Sequence, residues 1–193
     1  DERLPGLIMF EAVGGNANLL NEGANTRGAN CTSIDALALG LRKDGRRFLI
    51  LIEWKYVEKY DNQDMSDGTK GEKRASRYLD LIKNSQQLNS ATLSCCWFKP
   101  FYQLMRQTLW AEQILRHRPE GFEADDFLHL HVIPRANAQL LDKKYKCGGL
   151  GLEATWRKCL NYPEKYIVIS PEKLWSGQDE SSDLFRYLKT RYW

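Results

Sequence analysis

No apolar stretch of this chain is long enough to cross a bilayer, and no hydrophobic signal segment follows Asp1. Those absences point to a soluble, cytoplasmic protein with a trimmed amino terminus. Paired Cys-x-x-Cys spacing is also missing. The cysteines Cys31, Cys95, Cys96, Cys147 and Cys159 are odd in number and scattered, which excludes a zinc ribbon and leads us to expect reduced, mostly buried thiols. Adjacent Cys95 and Cys96 make a poor disulfide, and no local base marks a cysteine nucleophile. Histidine is scarce. His129 and His131 alternate along a probable strand, but no third ligand stands at a recognisable spacing, so a zinc site is not expected. The net charge is only +3, too small by itself to prove a polyanionic partner, because clustering decides that question. Neither a composition shift nor a low-complexity linker divides the 193 residues, so one domain spanning 1–193 with one core is expected.

Against that background, two short apolar runs stand out. Ile34-Asp35-Ala36-Leu37-Ala38-Leu39 carries one acid, and a second run closes on Ile52-Glu53-Trp54-Lys55. Side chains alternate along a strand, so Glu53 and Lys55 share a face and Trp54 points away. Between the runs lies Lys43-Asp44-Gly45. As a three-residue loop with Gly45 in the left-handed region, it flanks Arg42 with Arg46 and sets Asp35 across from Glu53. A two-residue Asp44-Gly45 turn would set Asp35 against Trp54 instead, and the register shift would separate the carboxylates. The three-residue loop is the expectation.

A carboxylate inside an apolar run costs several kcal/mol unless it is paired, hydrogen-bonded or ligating a metal. Two carboxylates side by side repel each other, and a hard divalent cation relieves the repulsion. Magnesium suits such a site, with Asp35, Glu53 and the Trp54 backbone carbonyl as ligands, because it takes oxygen donors and keeps several waters. Lys55 beside it would position or deprotonate a water and offset charge developing on a phosphodiester. The plainer alternatives are a solvent-facing strand end with a weak Glu-x-Lys pair, or a structural ion pair between Asp35 and Lys55.

Asp35 followed by Glu53-x-Lys55 at the end of an apolar strand resembles the PD-(D/E)XK nuclease superfamily, the restriction-endonuclease-like fold. The named proline is absent, since Ser33-Ile34 precedes Asp35. The resemblance implies an α/β core with a mixed central β-sheet flanked by α-helices, and magnesium or manganese as cofactor. It further implies hydrolysis of DNA phosphodiester bonds in restriction, defence or repair, often by homodimers. Such enzymes often add a glutamate from upstream and a glutamine from the helix after the catalytic strand. Glu11 and Glu22 compete for the first role, with Glu22 favoured as nearer the site. Gln103 is the candidate for the second, sharing a helix face with Gln107 and lying near Arg106. Two competing readings are a non-catalytic nucleic-acid- or protein-binding domain of the same fold, and a small-molecule hydrolase using Asp35 and Glu53 as an acid/base pair. Lys55 is awkward for the latter, because it would keep a neighbouring carboxyl ionised.

Three basic clusters accompany the motif: Arg42, Lys43, Arg46 and Arg47; Lys70, Lys73, Arg74 and Arg77; and Lys143, Lys144 and Lys146. The expected phosphate contacts are Lys73, Arg74, Arg77 and Arg106, with Arg27 from a polar loop that also holds Asn25, Thr26 and Asn30. His129 and His131 are expected to line the nucleic-acid groove. Exposed Tyr187, Tyr192 and Trp193 are candidates for an interface. Periodicity predicts helices over 7–20, 72–84, 100–116, 152–160 and 183–192 and strands over 31–41, 48–55, 127–133 and 166–169, with an exposed loop or lid over 61–71.

Overall fold

The loop Lys43 to Gly45 closes as the three-residue form. In the computed structural model, which describes residues 8–13, 19–23, 31–177 and 182–192, Gly45 sits at φ +83° and donates to the Arg42 carbonyl, while Arg42 N–H donates to the Arg46 carbonyl. Glycine takes that φ without the Cβ clash that strains other residues. Strands β2 (Ile34–Leu41) and β3 (Arg47–Trp54) then pair antiparallel from Leu41 opposite Arg47 to Ala36 opposite Ile52. One further step of that ladder puts Asp35 opposite Glu53.

Three more strands complete a five-stranded sheet in the order β1-β2-β3-β4-β5: β1 (Ile8–Ala12), β4 (Asp126–Val132) and β5 (Tyr166–Ile169). The β1–β2 and β2–β3 pairings are antiparallel, whereas β3–β4 and β4–β5 are parallel. Parallel neighbours need a long crossover. The one between β3 and β4 contains α1 (Gly68–Lys83), a 3-10 segment Ser90–Trp97, and α2 (Phe101–His117). Short helices α3 (Ala138–Leu141), α4 (Leu152–Lys158) and α5 (Pro171–Leu174) flank β5, and α6 (Asp183–Tyr192) follows. This is the α/β architecture expected, a mixed sheet with helices.

Helix α2 packs against β3 and β4 and is buried on almost every side: Leu104, Met105, Leu109, Ala111 and Ile114 are all sealed from solvent. Its apolar side chains belong to the core, and each large one so buried contributes about 1.5–3 kcal/mol. Leu49, Leu51 and Glu53 occupy the buried face of β3, and Phe48, Ile50, Ile52 and Trp54 the half-buried one. Glu53 therefore points into the core side of the sheet. No helix among the described residues is long and apolar enough to cross a membrane.

Three expectations are corrected. Residues 8–12 form an edge strand, not the start of a helix over 7–20. Ile8 and Phe10 alternate with Met9 and pair with Ala38 and Ala36 of β2, and a short apolar run does not separate strand from helix until a partner is known. The exposed loop expected over 61–71 is shorter and pinned: 61–67 is irregular and mostly exposed. Met65 is buried, its N–H donates to the Trp97 carbonyl, Asp64 bridges to Phe98, and α1 begins at Gly68. The cysteines are not all thiols. Cys95 and Cys147 form a disulfide across 52 residues of sequence, a pairing no local spacing signals, while Cys31, Cys96 and Cys159 are free and the last two buried.

Candidate active site

Glu53 is 1% exposed, and its carboxylate is held from three directions. Oε1 accepts from Lys55 Nζ at 2.5 Å and from Gln103 Nε2 at 2.6 Å, and Oε2 accepts from Gln107 Nε2 at 2.5 Å. The strand supplies Lys55 by its period of two, and α2 supplies both glutamines by its i, i+4 spacing. Asp35 is half-buried, and its Oδ2 accepts the Trp54 N–H at 2.9 Å. Burial pushes the Glu53 carboxyl up, against the pull of Lys55 and with the help of the nearby Asp35 charge. Burial pulls the Lys55 ammonium down, but the charges of Glu53, Tyr60 and Asp35 outweigh it and the net direction is up. Lys55 is therefore an ammonium in this arrangement, suited to holding charge rather than to accepting a proton. Its ion pair is with Glu53, not with Asp35 as the structural alternative supposed. The Trp54 side chain faces the other way and meets Tyr56 at 5.7 Å between ring centroids.

Glu22 lies at a second buried hub. Its carboxylate accepts from the Thr32 N–H at 2.5 Å, Thr32 Oγ1 at 2.6 Å, the Tyr78 hydroxyl at 2.6 Å, and Arg106 Nη2 at 2.9 Å. Burial and the Glu22 charge push the Tyr78 hydroxyl up, against the opposing Arg106. Glu11, the competing carboxylate, stands in β1 at φ +50°, between positions that pair Phe10 with Ala36 and Ala12 with Ile34. The register thus sets Glu11 across from Asp35.

The two hubs border one cleft of about 600 Å³ lined by Lys70, Lys73, Arg74, Arg77, Lys99 and Arg106 as its cations and by Tyr60, Tyr102, Gln103 and Gln107. Arg74 and Arg106 both lie over the Tyr102 ring, at 5.7 and 5.6 Å from its centroid. Each is partly committed, Arg74 to the Met65 carbonyl and Arg106 to Glu22. Lys73, Arg74, Arg77 and Arg106 are thus brought together as the sequence suggested. Arg27 and its polar neighbours lie outside the described residues, as does Trp193. The hairpin cluster is elsewhere, at the far end of β3, where Asp44 pairs with Arg46 at 3.0 Å and Arg42 at 3.6 Å. Sequence reasoning missed Tyr60, Tyr78, Thr32 and Lys99, whose roles arise from elements distant in the chain. Gln107 was signalled by its spacing from Gln103.

His129 and His131 do not line a groove. They are 2% and 1% exposed, on the face of β4 where His131 pairs in register with Glu53. His131 Nδ1 lies 2.8 Å from the Tyr166 hydroxyl, and the ring nitrogens of His129 have no hydrogen-bond partner among the described residues. Burial drives His129 down to about 3 and His131 well below its ordinary value. Both are neutral in the fold, whereas the unfolded chain binds their protons below about pH 6.5. Stability should accordingly fall as pH drops through that window, by roughly 1.4 kcal/mol per pH unit for each histidine. Urea unfolding at descending pH checks this: His129→Leu should flatten the slope, and an unchanged slope would show that His129 titrates normally in the fold.

The donor set fits a hard divalent cation. Of the lone-pair positions on the two carboxylates, Lys55, Gln103 and Gln107 occupy three on Glu53 and the Trp54 N–H occupies one on Asp35, which leaves oxygen donors on both residues. Among the described residues no group of three or more His, Cys, Asp or Glu side chains forms a metal cluster. A cation here would need water, backbone or substrate oxygens to complete its shell, which is the habit of magnesium. A model of the family described as restriction endonuclease associating with ARP matches residues 5–193. No curated protein and no solved structure gives a match to the chain.

Proposed function

This chain belongs to the family of restriction endonucleases associating with ARP, and from that membership together with the site geometry we propose that it is a magnesium-dependent deoxyribonuclease of the PD-(D/E)XK type. The observation that carries the reading is the Glu53–Lys55 pair with Asp35 beside it, buttressed by Gln103 and Gln107, which themselves line a cationic cleft. Asp35 and Glu53 would hold the cation. When bound, it supplies Lewis-acid neutralisation of phosphodiester charge.

The chain's own residues do the rest. Gln103 and Gln107 fix the Glu53 carboxylate, so no reorganisation is needed when substrate arrives. Lys55 brings a fixed positive charge next to the reacting phosphate. Lys70, Lys73, Arg77 and Lys99 grip neighbouring phosphates, while Tyr60, which also lines the cleft, offers a flat face for a base. Arg106, clamped by Glu22, keeps its guanidinium aimed along the cleft wall. The family description, a restriction endonuclease associating with ARP, supports DNA as the substrate.

The test is cleavage of supercoiled plasmid and of labelled single-stranded and duplex DNA in Mg²⁺, Mn²⁺ and EDTA, with Asp35→Asn alongside the unaltered chain. Metal-dependent cutting abolished by Asp35→Asn is expected. Binding without cutting under every condition would favour the non-catalytic alternative, and cutting by Asp35→Asn at the unaltered rate would move the centre elsewhere.

A further inference from the structure

The third basic cluster, which the mechanism leaves unused, is joined to the cleft by tertiary contacts. Lys143 donates through Nζ to the carbonyl of Tyr60, a cleft-lining residue, and Lys146 N–H reaches Asn62 Oδ1 at 3.5 Å. Tyr145 between them is buried at 1%, packs edge-on to Phe101 at 4.9 Å and closes the loop by donating its N–H to Leu150 O at 3.0 Å. Cys147 is bonded to Cys95, in the 3-10 segment that leads directly to Lys99 of the cleft.

This loop is fixed at four points, yet Lys144 and Lys146 are exposed and have no carboxylate partner among the described residues. Holding two like charges on a rigid loop, without a counter-ion, beside a wall that already carries four or more cations is unfavourable for the protein alone. A polyanion lying along both surfaces removes that repulsion and releases counterions. The hairpin cluster differs on both counts: Asp44 pairs with two of its four cations, Arg42 and Arg46, and it sits about 20 Å away along β3 at roughly 3.3 Å per residue.

We propose that the loop Lys143 to Gly149 is a second phosphate-contact surface, with Lys144 and Lys146 carrying the backbone of a long nucleic acid past the cleft. The proposal rests on the nuclease reading and extends it: the cleft alone grips a short stretch, and the loop selects for longer DNA.

The experiment measures binding in EDTA, across a series of salt concentrations, of a duplex of about 8 base pairs and one of about 30. Lys144→Gln/Lys146→Gln is compared with Lys43→Gln/Arg47→Gln, which removes equal charge at the hairpin. The loop variant should lose about tenfold in affinity for the long duplex, with the salt slope lowered by about 1.8, and should bind the short duplex as the unaltered chain does. Equal losses in both variants, or equal losses on both duplexes, would reduce the effect to general charge and overturn the proposal. No loss on the long duplex overturns it too, and if the unaltered chain still cuts DNA, the nuclease reading survives that outcome. An unaltered chain that neither binds nor cuts either duplex removes both.

Discussion

Lys55→Met is expected to lower phosphodiester cleavage by roughly a thousandfold, the scale of losing one charged group aimed at a transition state. The same change leaves Glu53 buried with only the two glutamine amides for company, and removing one partner of a buried ion pair costs about 3–5 kcal/mol. Loss of activity in the single variant would thus mix chemistry with stability. The double variant Glu53→Gln/Lys55→Met separates them. Both charges disappear, so most of the lost stability should return in urea unfolding, whereas cleavage should stay undetectable. Activity recovering together with stability in the double variant would sink the catalytic assignment and leave the pair as a structural ion pair.

Glu22→Ala is expected to be the most destabilising single change outside the core. It strips a counter-charge from Arg106 and acceptors from Thr32 and Tyr78 at a site where the carboxylate is 6% exposed. Leaving a buried cation unpaired costs about 3–5 kcal/mol, which for a chain of this size corresponds to a fall in Tm of roughly 10 °C. The companion Glu22→Ala/Arg106→Met should recover much of it by removing the orphaned charge. Thermal unfolding followed by circular dichroism measures both. If Glu22 instead ligates the cation, Glu22→Ala would leave Tm almost unchanged while abolishing metal-dependent cleavage, and the hub would have to be read as part of the reacting centre.

The central hairpin was legible because two local rules act together: glycine's freedom at positive φ selects the loop length, and the loop length selects which residues face each other across β2 and β3. Helix α2 was legible in the same way, since the interval between Gln103 and Gln107 is one turn and both amides meet one carboxylate. The amino-terminal strand was not, because Ile8 to Ala12 carries apolar residues that suit either a strand or a helix, and only β2's open edge decides. His129 and His131 misled for a related reason. Alternation showed that they share a face, but not that α2 and Tyr166 close over that face and exclude solvent.

By itself, the amino-acid sequence determined the common face and the register of Asp35, Glu53 and Lys55, because these follow from the two-residue period of a strand and the geometry of one turn. Tertiary structure alone decided which groups hold those residues and what surrounds them. Glu22 meets Arg106 across 84 positions of sequence, Cys95 meets Cys147 across 52, and Lys143 meets Tyr60 across 83. Contacts of that kind depend on how the crossover between β3 and β4 folds back over the sheet, a collective result of core packing that no short window of residues contains.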